Sequence, residues 1–178
     1  MTLIPDLTEL FEKTQRSVTH LVLRDTYGTS GIGYRAWRDG VPIEEIRRYD
    51  HLLPWVEMVR GHVKRGVSFR RARVVSEPLS DYMRYEHAIT PAANLRAGEQ
   101  VRWLPRTQAY DLALPGCDFW QFDDELVCFV FQSGDGEPTG FTLIDDNPAL
   151  SELCSTAFDA VWRRARDHGF YTPDLGSA

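Results

Sequence analysis

Residues 118–162, DFWQFDDELVCFVFQSGDGEPTGFTLIDDNPALSELCSTAFDAVW, constrain the fold more than any other part of this chain. Residues 119–123 and 126–131 are aromatic and β-branched runs, side chains that suit a pleated, half-buried surface. The acidic turn Asp123-Asp124-Glu125 joins them, and Ser133-Gly134-Asp135-Gly136 leads into a third strand over residues 139–144. The expected unit is a β-meander. Apolar residues then recur at Leu150, Leu153, Cys154, Ala157, Phe158, Val161 and Trp162, the three-and-four spacing of a helix laying one stripe on a sheet.

Upstream, strands and helices alternate. Asp6 is placed to cap a first helix through about residue 15, with Leu7, Leu10 and Phe11 on one side. Residues 17–23 read as a strand in which His20 is a satisfied core or edge histidine. Residues 27–50 are polar and irregular apart from a short helical candidate over 34–38. Pro54 opens a helix at its first turn, Trp55, Val56, Val59 and Val63 supply its stripe, and Gly66 ends it. Residues 67–75 form the next strand. Ser76-Glu77-Pro78 caps a helix through about His87, and Thr90-Pro91 starts a second short helical piece closed by Gly98. Residues 101–104 are a strand, and 106–115 a polar connection. The expected architecture is one α/β domain over residues 1–178, a mixed sheet of five or six strands flanked by helices. Its centre includes 67–75 and 101–104, and the helix over 148–166 packs on one face.

At 178 residues one domain is the default. A formal charge of −6 and a pI near 5.3 argue against a protein built to grip a nucleic acid backbone with high affinity. Cys117, Cys128 and Cys154 form no CxxC pair and read as free thiols in a reducing compartment. The N-terminal MTLIPDLTELFEK has no apolar leader core, and no run of about 18 apolar residues occurs, so a cytoplasmic protein without a membrane span is expected.

The unusual local chemistry lies on the strand over 67–75. Strand parity puts Val67, Phe69, Arg71, Arg73 and Val75 on one face, so two guanidiniums share a side with three apolar groups and need partners. With Glu77, Tyr82, Arg84, Glu86, Arg102, Trp103 and Arg106 they make a constellation of arginine forks, acids and aromatic rings. Such groups hold planar anions by bidentate hydrogen bonds and stacking. The same residues also suit an internal ion-pair network, with Glu77, Glu86, Glu99 and Asp123 as the acidic company of Arg71 and Arg73.

Catalytic and metal motifs are thin. His62-Val63-Lys64 has HxK spacing but falls on a helix end, and the position five after Lys64 is Phe69 where a catalytic motif needs Asp. Ser76 and Ser155 lack a glycine elbow, and Cys117 beside Asp118 is a poor nucleophile because an acidic neighbour raises its pKa. His51, His62, His87 and His168 form no metal-binding pair, and the Asp123-Asp124-Glu125 and Asp145-Asp146 runs read as turns. GTSGIG over 28–33 precedes no long helix and fails as a phosphate loop. No metal and no cofactor are expected.

The runs VSFRRARVVSEPLSDYMRYEH, AGEQVRWLPR and GCDFWQFDDELVCFVF resemble an uncharacterised family abundant in actinobacteria and often encoded beside helix-turn-helix regulators and their small partner proteins. The succession of strand, helix, strand, "FDD" meander and closing helix is similar to one half of a phospholipase D-like fold, here without HxKxxxxD on a strand. The resemblance implies a non-catalytic regulatory or sensor protein of a helix-turn-helix transcription module. It would bind a small anionic ligand or a protein partner, with Arg71, Arg73, Glu77, Arg84, Glu86, Arg102, Trp103, Arg106 and Asp123 as candidate ligand-binding residues. The competing expectation is a phosphodiesterase- or nuclease-type enzyme or toxin with a non-standard site around His87, Arg84, Glu86 and Arg102.

Overall fold

The computed structural model describes residues 6–28, 30–49 and 52–176. One seven-stranded mixed sheet runs in the order β6-β5-β4-β1-β2-β3-β7. β1 (Ser17–Val22), β2 (Ser68–Val75) and β3 (Gln100–Pro105) are parallel neighbours. Parallel neighbours require crossovers. The first crossover contains α2 (Ile32–Arg38), α3 (Ile43–Ile46) and α4 (Leu53–Lys64), and the second contains α5 (Asp81–Ala93). β4 (Asp118–Phe122) returns antiparallel to β1 and opens the meander with β5 (Leu126–Gln132) and β6 (Pro138–Ile144). A short α1 (Thr8–Lys13) precedes the sheet.

The mixed α/β architecture and the meander match expectation, with differences that have physical causes. The seventh strand, β7 (Arg166–Asp167), pairs with β3 by two exposed residues whose side chains carry no apolar pattern. That pairing ends the closing helix α6 (Pro148–Arg164) two residues early and leaves β1, not β3, at the middle of the sheet. α5 is one helix where two pieces are expected. Ser80, not Ser76, caps it by accepting from the Met83 N–H at 3.1 Å, and Pro91 sits so near its end that only two residues follow. Residues 76–79 instead form a turn with a cis Glu77–Pro78 peptide. α1 is shorter than expected, and Asp6 accepts from the Thr8 N–H at 3.0 Å without being the formal cap. α3 has only four residues and no readable periodicity.

The even-numbered residues of β2 and their register partners face α6. There Leu21, Ala72, Val74, Leu104, Phe119 and Val127 meet Cys154, Phe158 and Val161. The opposite face is covered by α1, α4 and α5: Val18, Phe69 and Phe122 pack under Phe11, Val56 and Val59, while Val75, Val101 and Trp103 pack under Leu79, Met83 and Tyr171. Tyr34 and Ile46 pack α2 and α3 onto Tyr85 and Ile89 of α5. Burying Phe69 or Phe119 contributes about 1.5–3 kcal/mol each, enough to fix which face β2 and β4 turn inward. Among the described residues, no helix is long and apolar enough to cross a membrane.

Candidate functional site

Between the two apolar clusters under α4 and α5 runs a polar band. Register places Arg71 of β2 and Trp120 of β4 on either side of His20 of β1, all on one face. His20 is therefore a half-buried residue of the central strand and not an edge one. Its ring stacks on Trp120 with centroids 3.7 Å apart, and its Nδ1 has no hydrogen-bond partner. Burial, with Arg71 and Arg73 nearby, holds its pKa well below the ordinary histidine range, so it is neutral.

Each arginine of this band has its own carboxylate. Arg71 Nε donates to Glu99 Oε1 at 2.7 Å, and the Arg71 guanidinium lies 5.3 Å from the Trp120 ring centroid and 5.6 Å from that of Trp55. The second Glu99 oxygen accepts from Asn94 Nδ2 at 2.5 Å, so this buried acid is satisfied at both ends. Arg73, only 3% exposed, donates through Nη2 to Glu86 at 2.5 Å and lies 5.3 Å over Trp103. Its Nε is buried without a partner. Glu77 and Asp123 pair with neither.

The remaining candidates are distributed. Arg106 is a clip across the carboxyl ends of the parallel strands: it donates to Leu23 O at 2.7 Å, Val74 O at 3.0 Å, Ser76 Oγ at 3.1 Å and Asp25 Oδ2 at 3.3 Å. Beside it the buried Asp118 accepts from the Leu23 N–H at 2.8 Å and from the Tyr27 hydroxyl; burial raises both their pKa values. Glu77 accepts from the Tyr171 hydroxyl at 2.6 Å and the Asp174 N–H at 3.3 Å. Arg84 donates to Leu79 O at 3.1 Å and to Leu175 O. Both anchor the C-terminal segment. Arg102 points to the opposite face, where it binds Asp167 at 2.7 Å and lies 4.4 Å over Trp162. Asp123, in the left-handed turn after β4, accepts from the backbone N–H groups of Gln15 at 2.8 Å, Arg16 at 2.6 Å and Ser17 at 2.9 Å. Of the nine candidates only Arg73, Glu86 and Trp103 form one contact set.

The histidine grouping is also divided. His87 packs against Trp103, Tyr171 and His168, whose ring centroid is 4.5 Å away, and Trp103 Nε1 donates to His168 Nδ1 at 3.1 Å. Glu86 faces Arg73, and Arg102 lies across the sheet. His62 is buried against Phe69 on α4. His51 lies outside the described residues. The three cysteines are free, and burial pushes the Cys128 and Cys154 thiols up to about 11. Among the described residues, no three His, Cys, Asp or Glu side chains converge to hold a metal ion.

The arginines missed by the sequence reading are on the outside. α3, α4 and α5 enclose an open groove of about 690 Å³ whose walls include Ile43, Leu53, Ala88 and Ala92 and whose rim carries Arg47, Arg48 and Arg96. These three guanidiniums are exposed and make no ion pair among the described residues, with Glu44 as the acid in the lining. The available signal was the adjacent Arg47-Arg48 pair just after α3, set in the sequence between Glu44-Glu45 and Asp50.

Residues 5–173 match the model of a protein family described as Domain of unknown function (DUF6879). No curated protein matches the chain.

Proposed function

We propose that this chain, which belongs to the family described as Domain of unknown function (DUF6879), acts by binding, as a cytoplasmic sensor or regulatory component of an actinobacterial helix-turn-helix transcription module. The observation that carries this reading is the contrast between two sets of arginines. Arg71 and Arg73 are neutralised inside the fold by Glu99 and Glu86, whereas Arg47, Arg48 and Arg96, around a groove with apolar walls, make no ion pair among the described residues. A cationic rim over an apolar floor fits an amphipathic acidic segment of a protein partner, with apolar anchors in the groove and carboxylates on the rim. The net charge of −6 opposes high-affinity contact with nucleic acid, so the partner supplies the DNA contact. The three parallel strands, the antiparallel meander and the closing helix support a phospholipase D-like reading of the topology. The position of His62-Val63-Lys64 on a helix, α4, and not within a strand supports the non-catalytic branch of that reading.

The test is a titration of the purified protein with the helix-turn-helix regulator encoded beside it and with that regulator's small partner protein. Binding to one of them is expected, weakening with salt. An Arg47→Ala/Arg48→Ala/Arg96→Ala variant should fold normally and bind about tenfold or more weakly, chiefly through slower association. A gel shift should need the partner. Phosphodiesterase or nuclease activity that disappears in His87→Ala would replace this reading with an enzyme. Binding of inorganic phosphate at the groove, with neither neighbour bound, would replace the protein partner with a small anion.

A further inference from the structure

On the other side of the sheet, under α6, a row of three side chains is mismatched in length. Register makes Arg70, Thr19 and Gln121 direct neighbours across β2, β1 and β4, about 4.8 Å apart from strand to strand. Two long polar side chains therefore flank a short one, and the gap over Thr19 is a hollow of about 360 Å³, closed on the helix side by Ser155, Phe158 and Asp159 and bordered by Asp124. That volume is at the small end of the range of about 300–1,000 Å³ for ligand pockets.

The groups facing the hollow are incompletely partnered. Thr19 is 2% exposed, and its Oγ1 is buried with no hydrogen-bond partner. Arg70 sits over the Phe158 ring at 5.1 Å and forms a loose ion pair with the half-exposed Asp159 at 3.7 Å; among the described residues its side chain makes no hydrogen bond. Gln121, by contrast, is fixed: its Nε2 donates to Ser151 O at 3.0 Å, Ser151 Oγ at 2.8 Å and Ser155 Oγ at 2.9 Å. The pocket thus has a rigid wall, a guanidinium held only by a loose ion pair to Asp159, a buried hydroxyl without a partner, and Asp124 and Asp159 in its lining.

This charge pattern selects a ligand class. A simple anion would meet Asp124 and Asp159, and a simple cation would compete with Arg70 for Asp159 and leave the Thr19 hydroxyl unpaired. A molecule carrying both charges satisfies every group. We propose that this hollow binds a small zwitterion of α-amino acid size, its carboxylate held by Arg70 and Thr19 and its ammonium group by Asp159 and Asp124. None of these residues lines the groove between α3, α4 and α5, so the proposal does not depend on the partner assigned there.

The experiment is calorimetric titration and thermal melting of the full chain with each of the standard amino acids at millimolar concentration. At least one is expected to bind one to one and raise the melting temperature. Its N-acetyl derivative and its methyl ester, which each lack one charge, should bind about tenfold or more weakly. Thr19→Val, which keeps the shape and removes only the unpartnered hydroxyl, should retain the fold and weaken binding several-fold; Arg70→Met should abolish it. The proposal is overturned if no amino acid binds, if binding survives both substitutions, or if the N-acetyl and ester derivatives bind as well as the parent.

Discussion

Arg73 is the most buried guanidinium among the described residues, and one acid, Glu86, neutralises it. Removing one member of a buried pair strands the other, so Glu86→Ala should destabilise the fold by about 3–5 kcal/mol in urea unfolding. Replacing both partners, as in Arg73→Met/Glu86→Leu, should cost far less because no charge is left behind. The histidines make a second, pH-dependent contribution. Burial and the neighbouring His87 and Arg73 push His168 down to about 4, and burial lowers His87, while an unfolded histidine titrates near ~6.5. As pH falls from about 6.5 to about 4 the unfolded chain therefore takes up protons that the folded chain refuses. Melting temperatures should be flat above that window and fall within it, and His168→Gln should reduce the fall. Period two was enough to place Arg71 and Arg73 on one face from sequence. Which acids hold them was only partly readable, because Glu86 and Glu99 arrive through the exact rotation of α5 and the segment after it. Arg47, Arg48 and Arg96 converge from separate short elements, so nothing local joins them.

Among the elements, α6 and the meander were readable because their contacts are local and their periodicity unbroken. β7 and α3 were not, since two-residue and four-residue elements take their form from what they dock on. α5 shows the limit of punctuation signals: Pro91 reads as a helix start, but a proline near a helix end costs little when packing by Ile89, Thr90 and Ala93 holds the last turn in place. Its cap gives a direct check. Ser80→Ala removes the bond to the Met83 N–H and should cost about 1 kcal/mol, read by chemical denaturation. For α6, Trp162 is half-buried, stacked on Phe158 at 5.5 Å and covered by Arg102. Trp162→Ala should cost about 3 kcal/mol, the low end of the range for large aromatic truncations, and should loosen the Arg102 side chain as well.

Among the described residues of the whole molecule, every strand belongs to one sheet, with α6 on one face and α1, α4 and α5 on the other. Unfolding followed by far-UV circular dichroism and by tryptophan fluorescence should give coincident single transitions. Separated transitions would mean that the α2 to α4 layer melts on its own. The placement of β1 also has a consequence in time. The middle strand of the finished sheet is made before its other strands, yet Val18 waits for Phe122, about a hundred residues later, before its second edge is covered. At about 5–20 residues per second, that edge stays open for about 5–20 s of synthesis. During this interval the nascent chain holds an unsealed strand, and Asp123, which binds the backbone of residues 15–17, is the latch that closes it.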